Sequence, residues 1–97
     1  MIRHIVLFKM KEECADDEKQ KLMDVLKSLK DSTDGLMLEC EVACDVAFTP
    51  TSYDVSLNSL FMNMDSVNAY VVHPAHVKAL DYIKKVSGSI TKIDYEV

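Results

Sequence analysis

Most of the chemistry open to this chain at neutral pH resides in three histidines and one tyrosine. His4 stands near the start, and Tyr70, His73 and His76 share the run Tyr70-Val71-Val72-His73-Pro74-Ala75-His76-Val77. An imidazole, titrating near about 6.5, takes a proton beside a carbonyl, and a phenol donates a hydrogen bond to a developing enolate oxygen. Packing offers an alternative for the same residues: the Tyr70 ring in the core with its hydroxyl at the rim, and His76 bonded to a nearby backbone group. His4 lies on an apolar strand face with Val6 and Phe8, where a histidine is a hydrogen-bonded core residue or, if the face lines a pocket, its polar anchor. His73 falls in the last turn of a helix and is expected to cap it, facing free carbonyls at the negative end of the dipole. The His-x-x-His spacing of His73 and His76 straddles a proline and gathers no acidic or cysteine ligand, so no metal is assigned. Nothing in the chain calls for a cofactor.

Cys14, Cys40 and Cys44 form an odd set without Cys-x-x-Cys spacing, which suggests neither a disulfide framework nor a zinc knuckle. On one strand Cys40 and Cys44 lie about 13 Å apart, too far to bridge. They are expected to be reduced, partly buried thiols. Lys and Arg number 11 and Asp and Glu 16, a formal charge of −5, which repels a phosphate backbone. Nucleic acid is therefore not an expected partner. The opening apolar run is far shorter than a signal-peptide core or a membrane span, which leads to the expectation of a cytoplasmic protein with no membrane association.

The elements that must position the histidines follow from periodicity. Residues 2–9 alternate as a strand with both faces largely apolar. From Asp16 to Lys30, Leu22, Leu26 and Leu29 form one stripe of an amphipathic helix whose first turn carries Asp16, Asp17 and Glu18. Beyond Gly35, Leu38, Cys40, Val42, Cys44 and Val46 alternate with acidic residues as a second strand. A loop around Pro50 leads to a third, in which Tyr53, Val55, Leu57 and Phe61 alternate with polar residues. Asn63 or Asp65 caps a short helix that must stop near His73, because a residue before proline is pushed out of the α region. Pro74 starts the next helix, which places His76, Leu80 and Ile83 on one stripe, and Ser87-Gly88-Ser89 ends it. A last strand alternates Thr91, Ile93, Tyr95 and Val97 with Lys92, Asp94 and Glu96. Met62 and Met64 are read as adaptable packing, and Lys78, Lys84 and Lys85 as a solvated helix face.

The order β-α-β-β-α-β is the ferredoxin-like one: an α+β domain spanning residues 1–97, with an antiparallel sheet covered by helices on one face. The apolar second face of the first strand asks for a cover, and a chain this short gains from one.

His4-Ile5-Val6-Leu7-Phe8-Lys9, Tyr70 with His73-Pro74-Ala75-His76-Val77, and the ending Asp94-Tyr95-Glu96-Val97 together resemble the stress-responsive A/B barrel (Dabb) family. The resemblance implies that two such protomers pack sheet to sheet as a dimeric α/β barrel. It also implies, from a plant polyketide cyclase of the family, that His76 and Tyr70 match residues used in aldol-type ring closure. Three functional readings follow. In the first, a homodimer binds a small apolar or carbonyl-containing molecule between helices and sheet, with His4, Tyr70 and His76 as the polar groups. The second is a cyclase-like lyase or isomerase with His76 as base and Tyr70 as its partner. The third is a structural or stress-protective dimer without a ligand. RNA binding, which the same element order permits, is set aside because the aromatic RNP signature is missing and the chain is acidic.

Overall fold

Strict alternation along the first strand buries Ile2, His4, Val6 and Phe8 and leaves Arg3, Ile5 and Leu7 half-buried. The strand therefore has a core face and a second, barely covered apolar face. In the computed structural model, which describes residues 1–97, the chain runs β1 (Ile2–Met10), α1 (Asp16–Ser32), β2 (Met37–Cys44), β3 (Val55–Phe61), α2 (Met64–Val71), α3 (Pro74–Val86) and β4 (Ser87–Glu96). The four strands form one antiparallel sheet in the order β2-β3-β1-β4. With the helices on one of its faces, this is the ferredoxin-like fold.

Leu22, Leu26 and Leu29 of α1 are essentially sealed, as are Leu57 and Phe61 of β3 and Ile83 of α3. Each such side chain contributes about 1.5–3 kcal/mol by leaving water. Ala15 offers α1 no side-chain cap, so Asp16, Asp17 and Glu18 in the first turn complement the free N–H groups by charge. At the other end Thr33 Oγ1 donates to the Leu29 carbonyl, and Gly35, at φ 78°, supplies the left-handed turn into β2.

Four local expectations are corrected. In β2, Leu38 is exposed and Met37 fills the core, because the register with β3 shifts between Met37 and Glu39 and leaves Leu38 as the extra residue. The strand stops at Cys44, which leaves Val46 exposed. The last strand begins earlier than its alternation from Thr91 suggests: α3 ends at Val86, before Ser87-Gly88-Ser89 as expected, and β4 starts at the next residue, Ser87 and Ser89 pairing with Met10 and Lys9. Met62 and Met64 do not pack in the protomer but lie exposed on either side of Asn63, whose side chain accepts from Ser66 N and caps α2.

Cys14, Cys40 and Cys44 are free thiols, the last of them exposed. No helix is long and apolar enough to cross a membrane.

Candidate functional site

Tyr70 is the last buried residue of α2, and its ring makes the centre of an aromatic cluster. Its centroid lies 5.0 Å from Phe61, 4.6 Å from His76 and 6.2 Å from His4. Three elements thus bring the candidate residues together: β1 supplies His4, the end of α2 supplies Tyr70, and the first turn of α3 supplies His76. They border a cavity of about 200 Å³ between the sheet and helices α1 and α3, whose other walls are mainly aliphatic. Pockets for drug-sized ligands run from about 300 Å³ upward, so this one suits a smaller molecule.

The break between α2 and α3 sets the His76 ring. Val72 closes α2, Pro74 opens α3, and the Val71 carbonyl, released from the helix, lies 2.9 Å from His76 Nδ1. A carbonyl only accepts, so Nδ1 carries the proton and Nε2 keeps its lone pair. No protein group bonds Nε2. Burial pushes the His76 pKa below 6.5, the bond to Val71 pulls the other way, and the neighbouring His4 adds to the lowering. His76 is accordingly a neutral imidazole with a free basic nitrogen at neutral pH.

The Tyr70 hydroxyl makes no hydrogen bond to the protein. The only side-chain polar atom both sealed and unpartnered in the chain is Ser87 Oγ, so the Tyr70 hydroxyl oxygen is not fully sealed, and the residue lines the cavity. Burial drives its pKa far above the ordinary value, with the Cys40 thiolate a lesser cause. It stays protonated, a donor without an acceptor.

His4 is nearly sealed, and its Nδ1 lies 2.5 Å from Asp94 Oδ1, while Lys92 Nζ donates to Asp94 Oδ2 at 2.7 Å. Burial by itself raises the Asp94 carboxyl, but the hydrogen bonds from Lys92 and His4 outweigh it and hold the pKa below 3.8. Asp94 thereby orients the His4 ring, which lines the cavity and whose Nε2 bonds no protein group. Sequence reasoning missed Asp94 and Lys92 as site residues. Both belong to the polar stripe of β4, and the signal that they face inward is their register: Lys92 pairs with Val6 and Asp94 with His4, which point at the helices.

His73 is not in the cluster, and its capping role is corrected. Its Nδ1 accepts from Ala75 N, which caps the following helix α3 and not the preceding one, and its Nε2 donates to Asp34 at 2.7 Å. The proline turns the residue out of α2, and its β-region backbone (φ −62°, ψ 136°) is that of an N-cap. No group of three or more His, Cys, Asp or Glu side chains is arranged to hold a metal ion.

The chain is similar to known proteins over most of its length. The chain is 33% identical over 78 residues to an uncharacterised protein of Streptomyces coelicolor, which covers 78% of this chain and 79% of the relative. Among solved structures, a dimeric protein of unknown function and ferredoxin-like fold from Bacteroides fragilis superposes with a TM-score of 0.81 at 29% identity, over 99% of this chain and 95% of that one. The hydroxynitrile lyase of Passiflora edulis has the same fold, with a TM-score of 0.87 at 14% identity over 99% and 92% of the two chains. The sequence model of the stress responsive A/B barrel domain matches residues 2–97, and the chain belongs to that family.

Proposed function

We propose that the cavity binds a small, mostly apolar molecule carrying a carbonyl oxygen, and that His76 Nε2 takes a proton from the carbon beside that carbonyl. The observation that carries this reading is the complementary pair at the cavity wall: a histidine whose Nδ1 is held by Val71, leaving Nε2 basic, next to a buried phenol whose donor has no partner. A carbonyl oxygen accepting from Tyr70 becomes an enolate when its neighbouring carbon loses a proton to Nε2, and the phenol bond then strengthens as charge develops on the oxygen. His4, oriented by Asp94, is the second polar contact. The aliphatic walls exclude water and favour an apolar body. This chemistry serves a lyase, an isomerase or a ring-closing cyclase, and the lyase of Passiflora edulis with the same fold lends support to that class.

Acetophenone in heavy water tests it. The expected result is faster exchange of the methyl protons with the protein than in buffer, and return to the buffer rate with His76→Ala. Binding without accelerated exchange removes the base role, and absence of binding removes the site.

The working unit in this reading is a homodimer closed over the uncovered sheet face. Ile5 pairs with Ile93 and Arg3 with Tyr95 on that face, where Ile93 is 58% and Tyr95 43% exposed. An apolar patch of this kind on a small chain favours association, and the Bacteroides relative, described as dimeric, supports the same arrangement. Three unpaired thiols suit a reducing compartment, in keeping with a cytoplasmic place for the protein.

A further inference from the structure

We propose that the ligand also carries a carboxylate, which Lys92 recognises at the mouth of the cavity. The inference rests on the binding reading above and narrows its substrate class. Histidines aside, Lys92 is the only ionisable lining residue charged at neutral pH, in a chain whose formal charge is −5. Its position follows from strand register: paired with Val6, it stands on the helix side of the sheet and lines the cavity. The side chain is 62% exposed, so the ammonium stands at the entrance, alongside the half-exposed, apolar Val71 and Ile90.

Asp94 accounts for only part of the ammonium's capacity. It takes one of three donors, at 2.7 Å, and its own charge is shared with His4 through the other oxygen. The remaining donors have no protein partner. A monoanionic carboxylate fits them. A phosphate dianion is a poorer match, since one lysine would have to offset it beside Asp94 on an acidic chain. The site then reads in sequence from mouth to floor: an ammonium for the carboxylate, aliphatic walls for the body, and His76 with Tyr70 for the carbonyl.

The test is a chemical-shift titration of the full chain with three probes of similar size: phenylacetate, its neutral isostere phenylacetamide, and acetophenone. Phenylacetate is expected to bind about fivefold or more tightly than phenylacetamide, with the difference shrinking as salt is added. Lys92→Met and Lys92→Gln should reduce the preference to within about twofold, and Lys92→Arg should keep it. Equal affinity of the parent for phenylacetate and phenylacetamide overturns the carboxylate inference, as does a preference that survives Lys92→Met. If acetophenone binds in either case, the cavity reading stands without Lys92. If none of the three probes binds, both readings fall.

Discussion

His76 Nδ1 lies 2.9 Å from the carbonyl oxygen of Val71, and this one bond decides which nitrogen of the ring is basic. It exists because Pro74 interrupts the helical run: the break frees the Val71 carbonyl and starts α3 so that His76 falls in its first turn. Replacing His76 with Ala should weaken binding of a carbonyl probe by about 1–3 kcal/mol while leaving the fold intact, because it removes a polar partner of the ligand at a half-buried site. Calorimetric titration of both proteins checks it.

Tyr70 separates the packing role from the chemical one. Tyr70→Phe keeps the ring against Phe61 and His76 and removes only an unbonded hydroxyl, so stability should change by less than about 1 kcal/mol while affinity for the carbonyl probe falls. Tyr70→Ala empties a sealed position and should cost about 3–5 kcal/mol. Urea denaturation of the two variants, set beside their binding curves, measures both effects.

The lowered pKa of His76 makes a directional claim about pH. Between the folded value and the unfolded 6.5 the unfolded chain binds more protons, so stability rises with pH through that window. The contribution of this group is complete above 6.5 and is lost as pH falls toward the folded value. Asp94 acts in a separate, more acid window: its stabilisation is present above 3.8 and is lost as pH falls through its lowered folded value. Urea midpoints should therefore decline from about pH 8 to 5 more steeply for the parent than for His76→Gln, which does not titrate there.

His73 should behave as a structural residue. His73→Ala removes the α3 N-cap and should cost about 0.5–2 kcal/mol of stability, with binding of the carbonyl probe unchanged at temperatures where the protein remains folded. A variant that folds normally yet loses binding would place His73 in the site.

The order of elements was legible because each announces its period: alternation along β1 and β3, the leucine stripe of α1, and the proline between the last two helices. Where one residue breaks a period, the pattern misleads. Leu38 sits in phase with Cys40 and Val42, but the bulge makes it the odd residue, and Met37 takes the core position. The same limit applies to the site. Tyr70 and His76 are near neighbours in sequence and stood out together, whereas His4 and Asp94 meet across 90 residues. Asp94 and Lys92 look like the wet face of a strand, and only pairing with β1 turns that stripe toward the cavity.

For the dimer, Ile93→Asp sets a charge on the uncovered sheet face, beside Ile5 of β1, without touching the cavity. Light scattering at micromolar concentration should give about twice the 11.0 kDa chain mass for the parent and a single chain mass for the variant. A monomeric parent would contradict the sheet-to-sheet assembly.

The most direct test of the site is the nitrogen spectrum of the histidine rings, recorded by long-range proton–nitrogen correlation at neutral pH with and without acetophenone. The account predicts a protonated Nδ1 and an unprotonated Nε2 for His76, a clear shift of that Nε2 as the probe binds, and an unmoved His73. A His76 ring protonated on Nε2, or one whose nitrogens stay unchanged while the probe saturates the protein, would contradict it.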